Sequence, residues 1–243
     1  VVVNTTRHIE VFRTRTIHLV EVATCYTNFP HQVVPRLVYI SNATEVGSIY
    51  TLQELKDLYH LCQELNLLLY IDGARLAHAL NASGNDITWE DLARYTDAFY
   101  IGATKNGAIM GEAIVLNNPE LQLGFEYHIK QKGALLAKGR FLGIQFLELF
   151  QNNLFNELAL HANAQAKRIQ DAFIEKGVHF LSHTPTNQVF PILTNEQVAL
   201  LQKQFDFYIW KKVDETHTAI RLITSWATKP ENVDTLIYAI KKL

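Results

Sequence analysis

Apolar segments with strand chemistry alternate with segments of helical periodicity, and this order limits what the chain can fold into. Arg36-Leu37-Val38-Tyr39-Ile40-Ser41 reads as a strand. Thr51-Leu52-Gln53-Glu54 then matches a capping box, with Thr51 as the cap and Glu54 able to reach back. Leu52, Leu55, Tyr59, Cys62 and Leu65 follow at helical spacing. Leu67-Leu68-Leu69-Tyr70-Ile71 is a continuous apolar run of the kind found in strands buried on both faces. It ends at Asp72-Gly73-Ala74-Arg75. Thr88 to Tyr95 reads as a short helix capped by Thr88. Ala98-Phe99-Tyr100-Ile101 is a further strand, ending at Gly102-Ala103-Thr104-Lys105, and Glu112 to Leu116 returns after a Gly-bounded turn. Strand, helix, strand, helix, strand predicts parallel pairing with right-handed crossovers, hence an α/β fold.

Val1 to Val3 and the alternating Ile17 to Val22 also carry strand chemistry. Residues 119–177 read as mostly helical, with Pro119 near a helix start. In the final third, Val189 to Leu193, Phe207 to Trp210 and Ala219 to Ile223 look like strands. Helices from Asn195 to Lys203 and from Pro230 to Lys242 flank them. This predicts a large α/β domain over 1–150 and a small C-terminal α/β domain over 151–243.

Composition excludes several classes. Of 243 residues, 48% are hydrophobic and 19% charged, which excludes intrinsic disorder as the main state. A net charge of −2 argues against a dedicated nucleic-acid binder, which needs a basic face. Cys25 and Cys62 make neither a disulfide framework nor a CxxC pair, so a reducing, cytoplasmic setting is expected. No apolar run approaches the ~20 residues of a membrane span. The sequence opens without Met or a signal peptide, and residues 1–35 contain no Gly although they must connect several apolar segments. We expect N-terminal and loop residues to be missing from it; an intact mass of 27.7 kDa would sink that expectation.

Ligands of open α/β sheets sit beyond the carboxyl ends of the strands. One such end offers Asp72 and Arg75, the other Thr104 and Lys105. An acid and a lysine on one edge allow two readings. One is a buried salt bridge, since buried charges are usually paired. The other is a lysine of lowered pKa that forms a Schiff base with an aldehyde. Pyridoxal phosphate would explain both residues: Lys105 would bind its aldehyde, and Asp72 would hold the pyridine nitrogen protonated so that the ring acts as an electron sink. Thr104 could give a hydroxyl to the phosphate. No GxGxxG, GxxxxGK[ST] or GxSxG motif is present, and the ten histidines show no HExxH spacing, so no metal is expected. His78, one helical turn after Arg75, reads as a surface or packing residue.

Tyr70-Ile71-Asp72-Gly73-Ala74-Arg75-Leu76, Ile101-Gly102-Ala103-Thr104-Lys105-Asn106-Gly107 and Ile220-Arg221-Leu222-Ile223-Thr224-Ser225-Trp226 together resemble the low-specificity L-threonine aldolases. Val38 to Gly47 is similar to the same group, and the match runs collinearly over most of residues 36–243. These are fold-type I pyridoxal-phosphate enzymes of the aldolase and β-eliminating lyase group. The resemblance implies a PLP-dependent transferase-like fold, with a mainly parallel sheet in the large domain and a small C-terminal domain. It implies that Lys105 holds the cofactor aldehyde, Asp72 the pyridine nitrogen and Arg75 the phenolic-oxygen side, and that Arg221 grips the substrate α-carboxylate. Thr6-Arg7-His8-Ile9 looks like the segment whose histidine stacks on the cofactor ring, which makes His8 a cofactor-binding and catalytic candidate. Lys132 and Lys138 lie in a stretch similar to one that approaches the cofactor phosphate; solvated helix charges account for them equally well.

The implied reaction is retro-aldol cleavage of a β-hydroxy-α-amino acid, L-threonine or L-allo-threonine, to glycine and acetaldehyde. The implied setting is a cytoplasmic homo-oligomer, dimer or tetramer, acting on a small molecule without nucleic acid or membrane. The sequence departs from the family in places. Ala43, Thr44 and Glu45 stand where many relatives carry a histidine, and Arg13 and Arg15 near an expected glutamate. The general base therefore stays open between His8 and an ordered water. The alternatives are another pyridoxal-phosphate reaction, β-elimination or transamination, or a non-catalytic paralogue.

Overall fold

The computed structural model describes residues 2–4 and 34–243. Its first sheet runs β1 (Val2–Asn4), β2 (Leu37–Ser41), β3 (Leu68–Asp72), β4 (Ala98–Gly102) and β5 (Glu112–Leu116), in that spatial order. The first four are mutually parallel, because helices connect β2 to β3 and β3 to β4. β5 is antiparallel to β4, since the short turn bounded by Gly107 and Gly111 only reverses the chain. Helix α1 (Leu52–Glu64) starts at the capping box, with the Thr51 hydroxyl accepting from the Glu54 amide and the Glu54 carboxylate from the Thr51 amide. Helices α2 (Leu76–Leu80) and α3 (Trp89–Arg94) follow β3, and Thr88 with Asp91 repeats the capping box for α3.

Period-2 alternation splits this sheet into two unlike faces. Val38, Ile40, Leu69, Ile71 and Phe99 form one face and pack on Leu55, Leu58 and Cys62 of α1 and Leu92 of α3. Each such side chain taken out of water is worth about 1.5–3 kcal/mol. The other face carries Tyr39, Tyr70, Asp72 and Tyr100. The run Leu67 to Ile71 is therefore not buried on both sides: Leu69 and Ile71 are buried, whereas Leu68 and Tyr70 are half-buried. Tyr70 takes part in a tyrosine stack on that face, which an apolar run alone does not reveal. In the core, burial pushes the Cys62 thiol up to about 12, with the Asp97 charge adding to the rise. That thiol stays protonated and unreactive. Cys25 and the segment Ile17 to Val22 lie outside the described residues.

Helices α4 (Pro119–Gln122), α5 (Phe125–Gln131), α6 (Arg140–Phe150) and α7 (Leu154–Glu175) fill the central third. Beyond them come β6 (Gln188–Val189), β7 (Ile192–Thr194), α8 (Asn195–Leu201), β8 (Tyr208–Lys212), β9 (His217–Ile223) and α9 (Pro230–Ile240). β9 is the centre of an antiparallel sheet, with β6 and β7 on one edge and β8 on the other. The run Val189 to Leu193 is two strands rather than one. Pro191 interrupts it because proline has no amide to donate, though its carbonyl still accepts from Ile220 at 3.1 Å. α7 belongs to both cores. Phe155 and Ala159 pack with Ala77, Ala103 and Leu149, while Ala166, Ile169 and Phe173 pack with Val189, Leu193, Ile220 and Val233.

Candidate active site

The carboxyl ends of β3 and β4 approach more closely than residues with a Cβ allow. The Gly102 amide donates to the Gly73 carbonyl at 2.9 Å. A Cβ on Gly73 would lie 1.7 Å from the Tyr100 carbonyl oxygen, and one on Gly102 would lie 2.7 Å from the Gly73 and Ala74 carbonyl oxygens. These glycines let the Asp72–Arg75 and Thr104–Lys105 segments leave the sheet side by side.

Asp72 sits at the end of the tyrosine-bearing face. The Tyr100 hydroxyl donates to Oδ1 at 2.6 Å, the Tyr39 hydroxyl donates to Oδ2, and the Ala74 amide donates to Oδ1 at 2.9 Å. The register makes this possible: Tyr39 is level with Tyr70, two residues before Asp72, and Phe99 is level with Ile71. The rings stack across the strands, 5.4 Å apart for Tyr39–Tyr70 and 6.4 Å for Tyr70–Tyr100. Burial first, then the hydrogen bond to Asp72 and its charge, push the Tyr39 and Tyr100 phenols upward. Both remain protonated donors at neutral pH.

Lys105 lies in a 3-10 turn, Thr104–Asn106. Glu112 Oε2 accepts from the Ala103 amide at 3.0 Å, and Asn106 Nδ2 donates to the Phe155 carbonyl at 2.8 Å, pinning the turn at both ends. The Lys105 side chain is open to solvent. Its pKa is lowered by burial against its surroundings and then by the Arg75 charge; Asp72 and Glu112 oppose this, and Arg221 adds to it. Among the described residues, no ion pair within 4.0 Å joins Asp72 to Lys105 or Arg75. The salt-bridge reading of this edge is thus not what the structure contains. Arg75 is lowered by burial and then by Arg221, and its buried Nε has no hydrogen-bond partner among the described residues. Thr104 is exposed, with its hydroxyl 3.5 Å from the Gly111 carbonyl.

Arg221 comes from β9. Gln188 Oε1 accepts from its Nε at 3.1 Å and also from Nη2, and its guanidinium lies 5.2 Å from the Trp210 ring centroid. The loop after β2 closes the same region. The Ser41 hydroxyl donates to Glu45 Oε1 at 2.8 Å, and Glu45 acts electrostatically on both Arg75 and Arg221. The Asn42 side chain is buried, and among the described residues neither its nitrogen nor its oxygen has a partner. His78 is a packing residue, 1% exposed, and its ring nitrogens have no partner among the described residues.

The fold thus brings Asp72, Arg75, Lys105 and Arg221 into one electrostatic neighbourhood. His8 lies outside the described residues, and Lys132 and Lys138 are exposed. Sequence reasoning missed Tyr39, Tyr100, Glu45, Glu112, Gln188 and Trp210. The tyrosines had a signal, since they share the parity of Asp72 once the strands are paired in register. Gln188 and Glu112 had none: Gln188 meets Arg221 from another strand, and the Glu112 bond to the Ala103 amide depends on how the intervening turn folds.

Residues 7–196 match the beta-eliminating lyase family. The chain belongs to that family. Within it, the low-specificity L-threonine aldolase of Pseudomonas aeruginosa is 34% identical over 216 residues, covering 87% of this chain and 60% of that protein. The structure of Leishmania major threonine aldolase superposes with a TM-score of 0.86 at 45% identity, over 88% of this chain and 63% of that one. Sphingomonas wittichii serine palmitoyltransferase, at 12% identity, shares the fold alone, with a TM-score of 0.65 over 99% of this chain and 65% of that one. The chain therefore spans about three-fifths of the length of these relatives. The resemblance to the threonine aldolases holds, as do the fold-type I architecture it implies and the α/β fold expected from the order of elements.

Proposed function

We propose that this chain binds pyridoxal 5'-phosphate and serves retro-aldol cleavage of a β-hydroxy-α-amino acid, L-threonine or L-allo-threonine, to glycine and acetaldehyde. The observation that carries this reading is the shared strand edge. There a solvent-accessible Lys105 of lowered pKa shares an edge with an Asp72 carboxylate that is hydrogen-bonded and, among the described residues, in no ion pair within 4.0 Å. The unpartnered Arg75 Nε and Asn42 amide are the kind of orphaned donors a phosphorylated, oxygen-rich cofactor satisfies.

Lys105 would hold the cofactor's aldehyde, Asp72 the proton on its ring nitrogen, and Arg75 its phenolic oxygen, with the Thr104 hydroxyl available to the phosphate. Bound there, the cofactor supplies an electron sink for charge left on the substrate's α-carbon. A lowered Lys105 pKa keeps more of its amine neutral and nucleophilic near pH 7. Tyr39 and Tyr100 keep the Asp72 carboxylate fixed in orientation. Arg221 grips the substrate α-carboxylate and so sets the orientation of the amino acid. His8 or an ordered water takes the β-hydroxyl proton.

On the same reading the protein works in the cytoplasm as a homo-oligomer, dimer or tetramer. The exposed apolar side chains Phe141, Ile144 and Leu147 of α6, with Ile109 and Met110 nearby in sequence to the Lys105 turn, support association. Among the described residues, no helix is long and apolar enough to cross a membrane.

The test is a visible spectrum of the purified protein with pyridoxal phosphate, followed by borohydride reduction and peptide mapping. Colour with a label at Lys105, and acetaldehyde released from threonine, is the expected result; Lys105→Ala removes both label and turnover. A colourless, unlabelled protein overturns the reading. Pyruvate from serine without acetaldehyde from threonine would replace the aldol reaction with β-elimination.

A further inference from the structure

A guanidinium has two edges that can each bind an acceptor: the Nε side and the pair of terminal nitrogens. In Arg221 the Nε side is taken by a neutral amide. Gln188 Oε1 receives both Nε–H and an Nη2–H. Gln188 is 0% exposed, and its Nε2 donates to the Thr44 carbonyl at 3.2 Å. The amide is thereby held from both ends, between β9 and the loop after β2. Trp210 supports one face of the guanidinium. Among the described residues, no carboxylate lies within 4.0 Å of Arg221 and nothing bonds Nη1. The charge is oriented but not neutralised, and its terminal edge stays free for an incoming carboxylate.

We propose that Gln188 is the positioning residue that presents Arg221 to the amino acid's α-carboxylate and ties that grip to the Thr44–Glu45 loop. This rests on the functional reading above. An amide suits the position because it orients without competing. A carboxylate there would keep the two-pronged geometry but form an ion pair, drawing Arg221 away from substrate and facing the Thr44 carbonyl with a second acceptor. A thioether would fill the space and orient nothing.

The test compares Gln188→Glu and Gln188→Met with the unaltered chain, all loaded with pyridoxal phosphate and all checked for borohydride labelling at Lys105. Glycine affinity is measured by calorimetry, and KM and kcat with threonine. A third readout is Trp210 emission, recorded without cofactor in a background where Trp89 and Trp226 are Phe. In Gln188→Glu, glycine affinity is expected to fall by roughly tenfold or more, KM to rise in parallel and kcat to change less, because an ion pair costs ground-state and transition-state binding alike. Labelling at Lys105 and Trp210 emission stay as in the unaltered chain. In Gln188→Met, affinity also falls and Trp210 emission shifts as the guanidinium leaves the ring. Should the Met variant fail to fold, the Glu variant decides. A labelled, active parent whose Gln188→Glu variant binds glycine as the parent does overturns the positioning role alone. A parent that takes no label overturns the functional reading and this proposal with it.

Discussion

The Asp72 carboxylate accepts hydrogen bonds from the Tyr39 and Tyr100 phenols and the Ala74 amide, and these donors fix its orientation. The Asp72 charge in turn helps hold both phenols protonated. Asp72→Ala should therefore do two separable things. Pyridoxal-phosphate binding weakens, and the last phenols to titrate in the ultraviolet do so at lower pH than in the parent, because the hydrogen bond and charge of Asp72 no longer add to burial. An unchanged titration would mean the phenols do not depend on Asp72. His78 makes a second prediction. Burial, then the Arg75 and Lys105 charges, lower its pKa from 6.5 to about 3. Between those values the unfolded chain binds the proton and the folded chain does not. Stability from this group is complete above about pH 6.5 and is lost as pH falls toward 3, with a limiting slope of about 1.4 kcal/mol per pH unit. Urea denaturation at pH 7, 6, 5 and 4 should show that slope, and His78→Leu should flatten it. An equally steep variant would assign the acid loss to other groups.

Among elements, the ends of β3 and β4 matter most. The strands are placed by ladder hydrogen bonds and apolar packing, but the active-site spacing is set by two residues that lack side chains. Gly73→Ala would drive a methyl into the Tyr100 carbonyl, so the strand ends must part. The expected outcome is a folded but inactive protein with weakened cofactor binding and a Lys105 no longer labelled by borohydride, while helicity by circular dichroism is kept. Wild-type labelling in this variant would show that the edge relaxes without separating Asp72 from Lys105. The Thr51 capping box and the Thr88 cap could be read from the sequence because each depends on contacts within a few positions, and the parallel pairing followed from the alternation of strands and helices. The tyrosine face could not, since it depends on which strand lies alongside; the break at Pro191 had a local signal in the missing amide, hidden by the apolar run around it.

At the scale of the molecule, α7 joins the two cores. Its first half packs beneath the Lys105 turn and its second half under the β9 sheet. Hydrogen bonds also cross between the regions: Ser182 to the Val46 carbonyl at 2.8 Å, Thr186 to the Gly47 carbonyl at 2.9 Å, and Asn163 to the His78 carbonyl at 2.9 Å. We therefore expect one cooperative transition rather than two. Trp89, packed on Phe155, and Trp210, packed on Phe190, should report coincident denaturation curves. Phe173 is fully buried, so Phe173→Ala should lower stability by about 3–5 kcal/mol and shift both curves together. A shift confined to Trp210 would make the C-terminal region an independent unit.

The sequence alone determined the α/β order, the helix starts and the residues at each strand end, because periodicity and capping are local chemistry. It also named Asp72, Arg75, Lys105 and Arg221, whose flanking motifs survive in one dimension. Tertiary structure decided what surrounds them. The tyrosine clamp on Asp72 needs the β2–β3–β4 register, the pinning of the Lys105 turn needs Glu112 from the returning strand, and the support of Arg221 needs Gln188 and Trp210 from strands on either side of β9. Those are contacts between separate strands and turns, and no local pattern encodes a distance that only the folded chain brings into being.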